Sequence, residues 1–281
     1  MTILWLNGNL LDTENARINP ADRGFLLGVG LFETLLVHAG KPVFATDHLA
    51  RLRQGAARLN IPLAQDDTSL TQAMNAVLSA NALTTLERAS LRITLTEGPG
   101  PRGLASPARQ EPTLLISAAP GQTPAPTVTA ITTTIRRNEM SGVSDLKTLA
   151  YLDQVRARQE AAEAGVDAAL FLNTKGKLCC ATAANIFLWD SNTLLTPPLS
   201  DGCLNGITRQ KVISLARAQG MAVFEESITP STLAGADSAF ITNSLIGLQE
   251  LDGLDGRPMQ PHRHTAQLRT ALAQAEQQSL T

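Results

Sequence analysis

The chain has 281 residues, 43% hydrophobic and 17% charged, which is longer than one compact core needs and makes two domains the natural expectation. Its 25 acidic and 23 basic side chains give a formal net charge of -2 with no block of like charge, which argues against nucleic acid and against an anionic membrane, and leaves a small ligand. No apolar run approaches the length that spans a bilayer, and Met1 leads into ILWLNGNLLD without a basic leader, so a cytoplasmic location is expected.

In chain order, ILWLNGNLLD carries an Asn-Gly hairpin signal, and LFETLLVHAGKPVFA reads as two strands around a Gly-Lys-Pro turn. HLARLRQGAARLNI has helical periodicity, as does the stretch from Ser69 to Ala82. The strand ASLRITLTEG, the loop GPGPRG and the strand PTLLISAAP follow. The Pro-rich segment at residues 120–126 is the clearest break, and it separates a small N-terminal α/β domain (1–119) from a larger C-terminal domain (127–281). Beyond it the sequence predicts a strand TVTAITTTIRR, a helix TLAYLDQVRARQEAAEAG closed by Gly165, and a strand DAALFLN with a turn NTKGK. ATAANIFLWD and NTLLTPP read as strands, ITRQKVISLARAQG as a helix ended by Gly220, and AVFEESI and SAFITNS as further strands. The class is α/β in the mixed, α+β sense.

Chemistry has few carriers here. Cys179, Cys180 and Cys203 lack the spacing of a zinc site or a disulfide framework, and His38, His48, His262 and His264 make no helical metal pair, so no metal is expected. Of the five lysines, Lys41, Lys175 and Lys177 lie in polar turns and Lys211 in the first turns of a helix. Lys147, in SDLKTLAYL, adjoins an apolar helix start, where a lysine withdrawn from water offers the neutral amine that Schiff-base chemistry needs; a snorkelling structural lysine would look the same. LNGITRQKV (204–212) aims unpaired helix N–H groups outward, which suits a phosphate or describes an ordinary helix entry near Thr208. Arg51 in HLARL can fork a phosphate or sit in solvent, and Asn243 and Ser244 in ITNSLIG fit a strand-end ligand site or simple turn chemistry.

Taken in order, these segments resemble the class IV aminotransferase and aminodeoxychorismate lyase family, the fold-type IV pyridoxal phosphate enzymes. DRGFLLGVGLFET (22–34) is similar to the family's DRG-x3-GDG-[LV]-[FY]-E, with Val29 where Asp is commoner; DHLARL (47–52) to its H-x2-RL; LKTLAYL (146–152) to IKTLNYL, with Ala150 in place of Asn; and GITR (206–209) to its phosphate turn. The resemblance implies that Lys147 carries the cofactor and that Arg51, Ile207 and Thr208 hold its phosphate. It also implies a small N-terminal domain, a larger pseudo-barrel domain that binds the cofactor, and a homodimer. In the family's E-x-[ST]-x-x-N segment the glutamate pairs with the cofactor's ring nitrogen, and here CATAAN keeps Thr182 and Asn185 but sets Cys180 at the glutamate's place. A thiol offers that nitrogen a weak S–H bond in place of a charge. GLFETL, PRGL and TNSLIG are similar to the lyases' segments, and Arg102 matches the arginine of a carboxylate trap whose histidine is replaced by Leu104. The expected activity is release of pyruvate and 4-aminobenzoate from 4-amino-4-deoxychorismate. The alternatives are a transaminase of D-amino acids, branched-chain amino acids or (R)-amines, and a catalytically decayed cofactor-binding protein.

Overall fold

The computed structural model describes residues 2–280, and its contacts divide the chain into two units. The first comprises residues 1–123, 146–150 and 277–281, and the second residues 124–145 and 151–276. Among the described residues no helix is long and apolar enough to cross a membrane.

The first unit contains β1 (Ile3–Leu6), β2 (Asn9–Asp12), α1 (Arg23–Leu27), β3 (Gly30–His38), β4 (Lys41–Pro42), α2 (Ala45–Arg58), α3 (Asp67–Ala80), β5 (Arg88–Thr96) and β6 (Leu114–Pro120). Its strands form one antiparallel sheet in the order β2-β1-β6-β5-β3-β4. The β1–β2 hairpin turns on Asn7 and Gly8, at φ 46° and 101°, the left-handed pair that an Asn-Gly turn favours. Helices α2 and α3 bury Leu49, Leu52, Leu70, Met74 and Leu78 against Leu35, Leu91 and Ile93 of the sheet. That apolar layer makes the central strands β3 and β5 a rigid platform for side chains near their ends.

The second unit contains β7 (Thr127–Arg137), α4 (Leu152–Glu163), β8 (Ala168–Asn173), β9 (Leu178–Ala181), β10 (Asn185–Asp190), β11 (Thr193–Thr196), α5 (Ile207–Ala218), β12 (Ala222–Glu225), α6 (Pro230–Gly235), β13 (Ser238–Asn243), β14 (Gly247–Leu254), β15 (Arg257–Pro258) and α7 (Arg263–Gln278), whose last residues group with the first unit. Its strands curl into a half-barrel sheet, β12-β11-β10-β13-β14-β7-β8-β9, with β15 on β14. Strands β8 and β10 are buried along almost their whole length, which explains why they read as continuous apolar runs rather than alternating ones.

The helix expected from Thr148 begins only at Leu152. Residues 146–150 instead make an isolated antiparallel bridge to β3, Thr148 opposite Leu31, because backbone bonds capture them: the Phe32 N–H donates to the Lys147 carbonyl (3.0 Å) and the Leu149 N–H to the Gly30 carbonyl (3.1 Å). That pairing places this short segment in the first unit, away from the stretch 127–281 to which its sequence position assigns it.

Candidate active site

Pairing with β3 fixes Lys147 beside Phe32, and its Nζ lies 4.2 Å from the centre of the Phe32 ring. The guanidinium carbon of Arg92, on β5, lies 3.8 Å from the same ring centre. Burial depresses the Lys147 ammonium to about 8, with Arg51 and Arg92 adding to the effect and Glu33 opposing it. At neutral pH roughly a tenth of such an amine is unprotonated, against less than about a thousandth for an ordinary lysine.

Glu33 is the centre of this group. It lies on β3 and is 1% exposed. His48 and Arg51 are one turn apart on α2 and reach it together: His48 Nδ1 is 2.7 Å from Oε2, while Arg51 donates from Nε to Oε1 and from Nη2 to Oε2, both at 2.7 Å. Burial alone would raise the Glu33 pKa, but the bonds from Arg51 and His48 outweigh it and hold the carboxyl down at about 2. The structure thus brings Arg51 and Lys147 into one charged cluster and fixes the plane of the Arg51 guanidinium.

The residues Asp22-Arg23-Gly24 act on the loop that carries Arg102. Asp22 is fully buried, accepts from the Gly24 N–H (2.8 Å), and takes the hydroxyls of Thr96 (2.8 Å) and Thr113 (2.6 Å). A Cβ on Gly24 would stand 2.3 Å from the Thr96 methyl, so only glycine fits. The buried Arg23 pairs with Glu97 and donates to the carbonyls of Gly103 and Leu104, each at 3.0 Å. Arg102 is exposed on the loop so held, next to a Leu104 that is 86% exposed.

In the second unit the functional candidates meet around Asn185, at the start of β10. Its Nδ2 donates to the Leu204 carbonyl (2.8 Å), and a Cβ on Gly206 would stand 2.2 Å from its Oδ1. Gly206 is the N-cap of α5 and, being glycine, makes no side-chain cap bond to the first N–H groups of that helix. Ile207 and Thr208 follow and are both buried. The same turn is secured by Arg209, 2% exposed, which donates to the Pro197 carbonyl and to Glu225, both at 2.9 Å. Asn243 ends β13 and its side chain is engaged by the turn after it: Nδ2 donates to the Ala183 carbonyl (3.0 Å), and Oδ1 accepts from the N–H groups of Leu245 and Ile246 (2.9 Å each). Ser244 is half-buried in that turn.

Cys180 sits on β9 opposite Phe171, in a small buried cluster with Ala157, Ala161, Ala169, Cys179 and Cys203. The pairing of β8 with β9 shifts between Phe171 and Leu172, leaving Cys179 as the extra residue of a bulge. The Cys179 S–H, 3.7 Å from the Cys180 sulfur, donates to it. That bond, assisted by Arg137, draws the Cys180 thiol below its ordinary range despite burial, and raises Cys179 correspondingly.

Glu33, His48, Arg23, Asn185 and Cys179 escaped assignment from the sequence, although four of them lie inside segments that carried the resemblance. Their letters were visible; the fact that each acts by holding a neighbour was not. Among the described residues no cluster of His, Cys, Asp or Glu has the makings of a metal site.

The residues fit pyridoxal phosphate on structural grounds. In the first unit a desolvated amine is available for covalent attachment and an arginine is held in a fixed plane, and in the second a helix start whose glycine cap adds no side chain suits a phosphate. Residues 30–252 match the family model described as amino-transferase class IV. A putative branched-chain-amino-acid aminotransferase of Methanocaldococcus jannaschii is 34% identical over 262 residues, covering 90% of this chain and 88% of the relative. The aminodeoxychorismate lyase of Bacillus subtilis is 26% identical over 247 residues, covering 87% and 84%. The crystal structure of a putative 4-amino-4-deoxychorismate lyase from Legionella pneumophila superposes with a TM-score of 0.89 at 33% identity, covering 94% of this chain and 97% of that one. The chain therefore belongs to the class IV aminotransferase family and is a pyridoxal-phosphate-dependent transaminase or lyase.

Proposed function

We propose that this enzyme is a lyase that converts 4-amino-4-deoxychorismate to 4-aminobenzoate and pyruvate. Lys147 carries the cofactor, and the N–H groups and side chain at Ile207 and Thr208, with Arg51, hold its phosphate. Cys180 meets the ring nitrogen, and the turn at Asn243 and Ser244 borders the cofactor. When bound, pyridoxal phosphate supplies an electron sink for cleavage at the amine-bearing carbon. The Lys147 amine, neutral often enough at ordinary pH, takes the proton from that carbon. The ring becomes aromatic as the bond from the adjacent ring carbon to the ether oxygen of the three-carbon group breaks, and the enol so released takes up a proton at its methylene carbon and leaves as pyruvate.

The observation that carries the reading is the loop pinned by Arg23. That loop carries the exposed Arg102, a cation suited to a substrate carboxylate, with Leu104 where the D-amino-acid transaminases place a histidine. Likeness to the Legionella structure supports the same reading. The test is incubation with 4-amino-4-deoxychorismate in the absence of any keto acid. Pyruvate and 4-aminobenzoate should accumulate in equal amounts; strict dependence on an added keto acid, with no aromatic product, would refute the lyase. The second reading, a transaminase of branched-chain or D-amino acids or of (R)-amines, is favoured by the likeness to the Methanocaldococcus relative, and that acceptor dependence is its signature.

A cytoplasmic homodimer completes the proposal. Helix α1 exposes Phe25 (77%), Leu26 (56%) and Leu27 (46%) in succession, an apolar surface that a second copy would cover. Sedimentation of Phe25→Glu should then show monomers where the parent protein shows dimers.

A further inference from the structure

A single thiol makes a poor substitute for a carboxylate, but Cys180 does not act as a single thiol. In a regular strand, neighbouring side chains point to opposite faces and adjacent cysteines cannot share a proton. The bulge that leaves Cys179 unpaired brings the two sulfurs to 3.7 Å, close enough for the Cys179 S–H to donate to Cys180. From α4 the apolar cluster receives Ala157 and Ala161, while charged groups of that helix are engaged elsewhere, Glu160 by Thr133 and Thr134 and Arg158 by the Val166 carbonyl. From the loop before α5 comes Cys203, whose thiol burial pushes up to about 12 and whose proton is therefore retained at neutral pH. Arg137 at the end of β7 acts on the pair as a cation, its guanidinium anchored on the carbonyls of Gly202 (2.9 Å) and Ser144 (2.7 Å).

We propose that Cys179 and Cys180 act as one anionic unit, a thiol hydrogen-bonded to a thiolate, in which Cys179 is the positioning residue that keeps the negative charge on Cys180 in place of the carboxylate that faces the ring nitrogen in this family. Two sulfurs sharing one proton carry a single negative charge, as a carboxylate does, and the positive charge of Arg137 favours it. The role at the ring nitrogen rests on the pyridoxal phosphate reading above; the shared proton does not. The departure at Cys180 is then a replacement of the charge by other chemistry, and a decayed site is not required to explain it.

The experiment follows thiolate ultraviolet absorbance against pH in full-length, cofactor-loaded parent protein, Cys179→Ala, Cys179→Ser and Cys180→Ser, with circular dichroism confirming that each is folded. The parent should show one thiolate that titrates below the ordinary thiol range and that Cys180→Ser lacks. Cys179→Ala should raise its midpoint by about one pH unit, a tenfold change in the proton equilibrium, and Cys179→Ser, whose hydroxyl still donates, should restore the parent's behaviour. A parent without that thiolate, or a Cys179→Ala midpoint equal to the parent's, would overturn the shared proton. The visible band of the bound cofactor tests the other half. If it is the same in Cys180→Ser as in the parent at every pH while the thiol titration behaves as expected, the pair stands and its role at the ring nitrogen falls.

Discussion

In the first unit the functional side chains are held by a carboxylate under cover: Glu33, buried to 1% exposure, pairs with the Arg51 guanidinium and hydrogen-bonds His48, and its charge also reaches Lys147. In the second unit they are held by the backbone and by weakly polar groups: Asn185 and Asn243 fasten turns through carbonyls and N–H groups, α5 begins without a side-chain cap, and Cys180 has a thiol as its neighbour. A buried ion pair fixes geometry but fails abruptly when one partner is lost. A turn held by several ordinary hydrogen bonds yields by degrees. The two units should therefore respond differently to both pH and substitution.

Glu33→Gln should have the largest effect, because it leaves Arg51 and His48 facing a neutral amide in a buried place. A loss of about 3 kcal/mol in urea unfolding at neutral pH is expected. The acid limb should change with it. Since the Glu33 pKa is about 2 in the folded chain and near 4.5 in the unfolded one, its contribution is full above the unfolded value and disappears as pH falls toward 2. The variant should lack that part of the acid dependence. A variant as stable as the parent would show that the pair orders the site without contributing to stability.

Next in size comes Lys147→Met in cofactor-free protein. The folded pKa of about 8 lies below the unfolded value of 10.5, so the folded chain resists protonation and Lys147 destabilises it below pH 8; the penalty fades as pH rises toward 10.5. At neutral pH the variant should be more stable by on the order of 2 kcal/mol, and the gain should shrink in alkali, as read by unfolding at several pH values. Arg51→Lys exchanges a two-pronged bond for a point charge, and cofactor affinity measured by titration should fall roughly 10- to 100-fold. Smallest is Asn243→Ala in the second unit, where three ordinary hydrogen bonds are lost at a partly solvated turn. About 1 kcal/mol in unfolding is expected, with no change in acid dependence.

Much of the fold could be read from local pattern. The Asn-Gly hairpin, the periodicity of α2 and α3, and the glycine after α4 are features a chain carries in consecutive residues. What could not be read depends on distant partners. TLAYL has the composition of a helix start, yet backbone bonds from β3, more than a hundred residues earlier, hold its first residues out of the helix. Lys147, Arg51 and Thr208 are proposed as site residues because their segments resemble a family, whereas the contacts of Glu33 and Arg23 come from side chains that converge only after folding. Cys179 is the clearest case. Adjacent cysteines in a strand point apart, and only the shift in β8–β9 pairing turns them together.

The central claim is that Lys147 holds pyridoxal phosphate through an amine whose pKa its surroundings have lowered. The most direct measurement is the visible absorption spectrum of purified protein supplied with the cofactor, recorded for the parent and for Lys147→Ala. The parent should show the band of lysine-bound cofactor, retained through gel filtration, and Lys147→Ala should lose it while staying folded. The same band surviving in Lys147→Ala, or absent from the parent, would contradict the assignment.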